Sequence, residues 1–189
     1  MAAWPDHPQL EVASEAALWD WLAAHHDSQA GAILITWKAA DRARYVGRDA
    51  VLDALVAYGW IDGRRYTVDA ARTAQLITPR KTQVWAQSYK DRAEKLEAEG
   101  RMLAPGRASV EAGKANGLWD FMADVDRLEV PEDLGAALAD ARALWDALAP
   151  SYRRNVLRWI KLAKTAPTRA KRITAAAEAT RAGEKLPQM

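Results

Sequence analysis

The chain has 189 residues, half of them hydrophobic, which is enough for one generous domain or two small ones. It contains no cysteine, which excludes disulfides, thiolate metal sites and cysteine nucleophiles. Residues 150–189 hold ten Lys and Arg against two acids, a net +8; because the whole chain carries +2, the remainder carries −6. Such asymmetry indicates either an anionic partner or pairing between the basic end and the acidic body.

The first residues do not show a basic segment followed by an apolar one, and no apolar run reaches the roughly 20 residues that a membrane span needs. We therefore expect no signal peptide, no transmembrane segment and a cytoplasmic location. The three histidines, His7, His25 and His26, lack metal-ligand spacing, and no phosphate loop, dinucleotide fingerprint or nucleophile elbow is present. The sequence predicts neither a metal site nor a cofactor, and it does not indicate an oligomeric state.

The first half of the chain alternates between helical and strand patterns. Residues 1–13 read as an irregular lead-in, and Ser14 is expected to cap a helix that ends near His26. The nearly continuous β-prone run at 32–38 predicts a strand covered on both faces. Asp49 is expected to cap the next helix, with Gly59 just past its end. Residues 61–68 and 73–79 then read as two antiparallel strands.

The second half is dominated by helical patterns. Thr82 is expected to cap a helix ending at Gly100, and another follows at 105–116. Beyond these, helices are expected at about 132–140, 142–148, 151–164 and 168–182. The sequence therefore predicts an α+β fold: a small antiparallel sheet packed with helices, followed by a helical C-terminal section. We expect a mixed body over residues 1–125 and a basic helical section over 126–189.

The Gly59–Trp85 segment is the part of the chain where tryptophan, charge, glycine and proline are most concentrated. Strand alternation from residue 60 predicts that Trp60, Asp62 and Arg64 share one face. Pairing of the two strands would bring the end of the second near the start of the first. The candidate ligand-binding residues that this pairing gathers are Trp60, Asp62, Arg64, Arg65, Arg80, Lys81 and Trp85.

Three interpretations of this segment stay open. Arginine forks and aromatic rings are suited to a small anion, which favours a polar anion-binding pocket. An ion pair between Asp62 and an arginine could instead fix the hairpin, with both tryptophans in the core. A third hypothesis is an enzyme in which a desolvated Asp62 acts as acid or base.

The basic tail offers a different kind of hypothesis. Its cations occupy one side of a helix and the start of the next, a pattern that can follow phosphate groups and predicts a nucleic-acid-associated protein. The alternative is a solvated basic face. The candidate residues for nucleic acid are Arg154, Arg158, Lys161, Arg169, Lys171 and Arg172.

Several motifs also resemble a known family. YGWIDG at 58–63, TPRK at 78–81, Trp85 and EGRM at 99–102 are followed by the C-terminal pattern LAPSYRR, RWIKLAK and TRAKRI. Together they resemble the YdeI/OmpD-associated (OmdA-like) bacterial proteins over nearly the whole chain. The family's name ties it to outer-membrane-protein association, bacteriocin protection and tolerance of cationic antimicrobial peptides. The resemblance thus implies a stress-tolerance role, and it brings no reaction and no catalytic residues with it.

The leading expectation is a non-catalytic binding or stress-tolerance protein with an anionic ligand in the Gly59–Trp85 segment. The alternatives are a nucleic-acid-associated protein that uses the basic tail, and an enzyme that uses Asp62.

Overall fold

The computed structural model describes residues 6–187, and the chain divides after Asp120 into two compact units. The first unit holds a four-stranded sheet with helices, and the second is helical. This arrangement confirms the α+β class and the helical C-terminal section.

The sheet of the first unit has the strand order β1-β2-β4-β3. The strands are β1 Gln9–Val12, β2 Ala32–Trp37, β3 Trp60–Thr67 and β4 Arg72–Pro79. β4 pairs antiparallel with both β2 and β3, whereas β1 pairs parallel with β2. The expected irregular lead-in is therefore wrong over Gln9–Val12. This strand is four residues long and is defined by its pairing with distant β2, a signal that its own sequence does not carry.

Four helices complete the first unit: α1 Glu15–His25, α2 Arg48–Ala57, α3 Gln87–Ala98 and α4 Ala104–Ala115. The predicted cap of α1 is confirmed, because the Ser14 hydroxyl accepts a hydrogen bond from the Ala17 N–H at 3.2 Å. Gly59 follows α2 with φ +72°, the left-handed conformation expected of a residue just past a helix end.

Two other predicted caps are wrong. The N-cap of α2 is Gly47, and Asp49 lies in the first turn, where its carboxylate accepts from Arg92 of α3 at 2.8 Å. The N-cap of α3 is Ala86, so that helix begins later than the Thr82 signal predicts. A side chain that could cap a helix can instead bond to a residue that is distant in the sequence. The Asp49 carboxylate binds Arg92 on α3 and does not cap α2.

The two faces of β2 are both buried, as predicted. Leu34 has no exposed surface and packs with Val51 and Leu55 of α2. Ile33 is equally buried on the opposite face, where it contacts Ala74. Helix α2 thus covers one face of the sheet, and any side chain of β3 or β4 that points to this face approaches α2.

The second unit contains α5 Ala123–Asp126, α6 Glu132–Leu138, α7 Arg142–Ala147, α8 Pro150–Lys161 and α9 Ala166–Ala182, with a 3-10 turn at Ala139–Ala141. Helix α9 packs against α6, α7 and α8. Its N-cap is Thr165, whose hydroxyl accepts from the Thr168 N–H at 3.3 Å. Within residues 6–187, none of the helices combines the length and apolar character required to cross a bilayer.

Helix α4 approaches α2 so closely that it needs a glycine. A Cβ built on Gly106 would lie 2.6 Å from the Val56 carbonyl oxygen, which belongs to rigid backbone. We expect Gly106→Ala to lower the free energy of unfolding by about 1–3 kcal/mol in urea titrations followed by circular dichroism.

Gly135→Ala is the matched control, since a Cβ on this helical glycine meets only Val130 Cγ1, at 4.0 Å. It should leave stability unchanged or raise it by up to about 1 kcal/mol. Equal stability of Gly106→Ala and the wild type would contradict the proposed close contact.

Candidate functional site

A β-bulge in β3 decides which side chains face the helices. The pairs on either side of it are Asp62 with Ile77 and Arg65 with Gln75. Gly63 and Arg64 therefore share a single partner position on β4, and the alternation of side chains reverses after them. Asp62 and Arg65 face the same side of the sheet as a result. The expected alignment of Trp60, Asp62 and Arg64 on one face is wrong for Arg64, because Arg65 takes that place.

The two tryptophans of the Gly59–Trp85 segment are core residues, each 1% exposed. The indole N–H of Trp60 donates to the His26 carbonyl at 3.2 Å. The ring of Trp85 lies 5.0 Å from that of Trp119, and it also packs against α4, where a Cβ on Gly113 would come within 2.9 Å of its Cδ1 atom. Both rings therefore contribute apolar burial and fix the ends of the segment.

Around Trp85 the structure gathers a compact polar group, the Arg80 cluster, formed by Asp62, Arg80, Trp85 and Tyr89. The Arg80 guanidinium carbon lies 4.0 Å from the centroid of the Trp85 ring and 4.8 Å from that of Tyr89. Its Nη1 donates to the Gln83 and Val84 carbonyls at 3.2 and 3.3 Å. The Tyr89 hydroxyl donates to Asp62 Oδ1. These contacts connect β3, the segment after β4 and helix α3.

Burial dominates the electrostatics of the Arg80 cluster. Desolvation lowers the pKa of Arg80 to about 10, although Tyr89 and Asp62 oppose the shift. Desolvation also raises the pKa of Tyr89 to about 12, and the hydrogen bond to Asp62 adds to the increase. Arg80 Nε and Nη2 are buried without a hydrogen-bond partner in the described part of the chain, so the two rings are their principal neighbours.

The other predicted residues of the segment lie outside this cluster. Arg64 is exposed, with its guanidinium 5.6 Å from the Tyr66 ring. Lys81 is also exposed, and its backbone N–H donates to Gln83 Oε1 at 2.8 Å. Arg65 points to the α2 side of the sheet and lines a separate cavity. The structure therefore brings together Asp62, Arg80 and Trp85 but not the whole predicted set.

This second place, the Arg65 cavity, has a volume of about 230 Å³. Its lining comes from the end of β2, Arg65 of β3, the start of β4, the loop that precedes α2, and the first turn of α2. The lining residues used below are Thr36, Lys38, Tyr45, Arg48, Arg65 and Gln75. The sequence brings them together because β2 and β4 are neighbours in the sheet and α2 covers that face.

The Arg65 cavity is positively charged. Arg48 and Arg65 are exposed and have no ion-pair or hydrogen-bond partner among residues 6–187. Lys38 Nζ donates to the Asp69 and Ala70 carbonyls at 2.9 and 3.1 Å, which holds a third charge at the rim without neutralising it. No carboxylate from the described residues belongs to the lining. An anion that enters the cavity therefore meets three cationic side chains and no carboxylate of the described residues.

At the floor of the Arg65 cavity lies a buried amide. Gln75 is 8% exposed, and it pairs with Leu34 and Arg65 in the sheet, so its side chain points toward α2 as theirs do. Within the part of the chain that the structure describes, this amide has no hydrogen-bond partner. Buried polar groups are nearly always satisfied in native proteins. The amide atoms of Gln75 are not fully enclosed, so their hydrogen bonds depend on what occupies the cavity, water or a ligand.

Helix α2 begins at the wall of the same cavity. Its N-cap is Gly47, which offers no capping side chain, and both Arg48 and Val51 of its first turn contribute to the lining. The partial positive charge of a helix N-terminus adds to that of the arginines. The N-terminus alone would not make a site, but it acts together with unpaired cations and a buried amide.

Other potential sites receive less support. Among residues 6–187 there is no group of three or more His, Asp and Glu side chains arranged to hold a metal ion. The Nδ1 atoms of His25 and His26 lie within hydrogen-bond distance of carbonyls of their own helix.

The basic residues of the second unit are mostly paired within that unit. Arg169 donates to Asp133 and Lys161 to Asp124, while Arg154 lies 3.9 Å from Asp126. Arg172 donates to the Trp159 carbonyl. Arg158 and Lys171 are exposed and have no partner in the described residues. Pairing between cations and acids thus occurs inside the basic section, and it leaves two of the six candidate residues for a nucleic-acid contact unpaired.

Sequence reasoning missed Lys38, Arg48 and Gln75. Each is an ordinary residue in its local pattern: a lysine after a strand, an arginine before a helix, and a glutamine within a strand. The one local signal was Gln75 itself, a polar residue between Ala74 and Leu76 in a strand that is otherwise apolar at its centre. Only the sheet order brings the three to one cavity.

The hydrogen bond from Tyr89 to the Asp62 carboxylate should stabilise the fold. We expect Tyr89→Phe to lower the free energy of unfolding by about 1–3 kcal/mol, since the acceptor is charged. The effect should shrink when Asp62 is already alanine, giving a coupling of about 1 kcal/mol in a double-mutant cycle. Tyr45→Phe, at a tyrosine that is 48% exposed, is the control and should change little.

The same tyrosine predicts a pH dependence. Because its pKa in the folded protein is about 12, above the ordinary 10, folding favours the protonated phenol. Its contribution is therefore complete below pH 10 and disappears as the pH rises toward 12. The lowered pKa of Arg80 contributes a rise in stability over the same pH range, and it does so in both proteins. Urea titrations between these pH values should therefore show the Tyr89 loss as a shrinking stability difference between the wild type and Tyr89→Phe; a difference that does not change with pH would contradict the assignment.

Comparison with known proteins places these features in families. Residues 127–183 match the family described as Bacteriocin-protection, YdeI or OmpD-Associated, which confirms the resemblance drawn from the C-terminal pattern. Residues 10–109, which contain both the Arg80 cluster and the Arg65 cavity, match a different family profile. No curated protein and no solved structure matches the chain significantly. The match over residues 10–109 covers more than half of the chain, and the chain therefore belongs to the family described as Domain of unknown function (DUF8412).

Proposed function

We propose that this protein binds a small anion in the Arg65 cavity and that it acts as a binding protein, not a catalyst. The observation that carries the proposal is the coincidence of two unpaired arginines, Arg48 and Arg65, with the buried amide of Gln75 around one cavity. Guanidinium groups bind carboxylate and phosphate oxygens with two parallel hydrogen bonds, which suits this lining.

The pairing of other arginines in the first unit supports this reading. Arg92 is held by Asp49 and Asp53, and Arg72 by Glu11 and Asp69. These arginines stabilise contacts between elements and have no capacity left for a ligand. Within residues 6–187, no acid neutralises Arg48 or Arg65. Arg42 and Arg64 also have no acidic partner there, but they do not line the cavity, so the available positive potential of the cavity comes from Arg48 and Arg65 together with Lys38.

The Arg80 cluster takes a structural role in this proposal. Its guanidinium lies between two rings, its Nη1 is occupied by carbonyls, and Asp62 accepts from Tyr89. The candidate set of the Gly59–Trp85 segment is thus divided between a structural cluster and, through Arg65, a ligand site. A protective role of the kind named in the description of the C-terminal family stays a prediction, and the cavity argument does not depend on it.

Adjacent arginines provide a sharp test. Arg65 lines the cavity and Arg64 does not, so Arg65→Ala should weaken binding of inorganic phosphate by about 10- to 100-fold, the loss expected for a charge-assisted hydrogen bond. Arg48→Ala should show a similar loss. Isothermal titration calorimetry at an ionic strength of about 0.05 M would measure this, because higher salt screens exposed charges.

Arg64→Ala is the matched control, since it removes the same charge from the neighbouring position and should change the affinity by less than about threefold. Sulfate and small carboxylates titrated into the same proteins would define the preferred anion. Equal losses in Arg64→Ala and Arg65→Ala would show attraction to the general charge of the surface and not a site. Absence of binding by the wild type would contradict the proposal altogether.

A further inference from the structure

We infer that the ligand of the Arg65 cavity is a phosphate monoester of a small hydroxylated compound, with its phosphate at Arg48 and Arg65 and a hydroxyl group on the Gln75 amide. This inference rests on the proposed anion-binding function and specifies the class of ligand. It follows from the size of the cavity and from the different chemistry of its mouth and floor.

The cavity is too large for an inorganic anion and too small for a nucleotide. Its volume of about 230 Å³ corresponds to roughly eight water volumes at about 30 Å³ each. It lies below the range of about 300–1,000 Å³ that is typical of pockets for drug-sized ligands. A compound of about ten non-hydrogen atoms therefore fits, and an inorganic phosphate would leave much of the cavity to be filled by something else.

The mouth of the cavity suits a dianion. Two guanidinium groups, the Lys38 ammonium and the N-terminus of α2 all contribute positive charge. A phosphate monoester carries close to two negative charges at neutral pH and offers three acceptor oxygens, whereas a carboxylate carries one charge and offers two oxygens. The number of cationic groups thus favours phosphate over carboxylate.

The floor of the cavity suits an uncharged polar group. The Gln75 amide has donors and an acceptor, and neither is used within the described residues. The Thr36 hydroxyl, on the neighbouring strand, also lines the cavity without a partner there. A ligand hydroxyl both donates and accepts, so it can satisfy an amide in either orientation. An alkyl chain would displace water from the amide without replacing its hydrogen bonds, which weakens binding.

The test compares two ligands of nearly the same shape. Glycerol 3-phosphate and n-propyl phosphate share a three-carbon chain and a phosphate, but only the first has free hydroxyl groups. Calorimetry on the wild-type protein should show that glycerol 3-phosphate binds at least about tenfold more tightly, since a site built for hydroxyl groups rejects analogues that lack them. Equal affinities would overturn the inference whatever any variant shows.

Gln75→Met tests the residue, because methionine has a similar length and no amide. We expect the preference for glycerol 3-phosphate to fall to within about twofold, while inorganic phosphate binds within about threefold of its wild-type affinity. If Gln75→Met fails to fold, Gln75→Glu keeps the shape and should weaken all three phosphates by more than about tenfold by adding a negative charge. A preference that survives Gln75→Met, or phosphate affinities that Gln75→Glu leaves unchanged, would overturn the role of Gln75.

The outcomes separate this inference from the proposed function. Arg65-dependent binding of inorganic phosphate, without any preference between the two esters, would overturn the ligand class and leave anion binding in place. No binding of any phosphate by the wild type would overturn both.

Discussion

The pairing of β3 with β4, interrupted by one extra residue, is the constraint on which the rest of the first unit depends. Before the bulge, Asp62 faces α3 and accepts the Tyr89 hydrogen bond; after it, Arg65 faces α2 and the cavity. Without the extra residue, alternation would turn Arg64 to that face and Arg65 away from it. A single register step thus places Arg65 in the lining of the cavity and leaves Arg64 outside it, although both side chains are exposed.

The Arg80 cluster and the Arg65 cavity, the two polar groups of the first unit, differ in how far their arginines are removed from water. In the Arg80 cluster, a charge is removed from water, and the loss of hydration is offset by ring faces, two carbonyls and the neighbouring Asp62. The lowered pKa of Arg80 records that desolvation exceeds this compensation. At the Arg65 cavity the arginines remain hydrated and require no such compensation. The first group therefore contributes to stability, and the second keeps unneutralised positive charge beside the cavity.

The strands from residue 32 to 79 and most helices could be predicted from the sequence, because their signals are local. The run ILITW specifies a buried strand, and Ser14 and Gly59 mark helix ends by their own chemistry. Features that depend on distant partners could not be predicted. The strand β1 is defined by its pairing with β2, and the Asp49 carboxylate pairs with Arg92 on another helix; neither partner can be read from the local sequence.

The same distinction between local signals and distant partners applies to the candidate site residues. The Gly59–Trp85 segment was singled out for its concentration of aromatic and charged residues, and the structure brings Asp62, Arg80 and Trp85 of this segment together. Tyr89, which completes that cluster, lies in a helix whose pattern marked it only as apolar. Lys38 and Arg48 are separated from Arg65 and Gln75 in the sequence and meet only through the order of strands in the sheet.

The buried Gln75 amide connects the energetics of the fold to the proposed site. The exposed arginines cost the unliganded protein little, because water solvates them. Gln75 is 8% exposed, yet its amide atoms do not belong to the fully buried, unsatisfied polar atoms of the described residues, so water in the cavity can solvate them as well. A ligand that enters the cavity displaces this water, and it must then replace the hydrogen bonds of the amide or leave a buried polar group unsatisfied at a cost of about 1–3 kcal/mol. In the proposed site, the arginines therefore supply the attraction and Gln75 the discrimination between ligands.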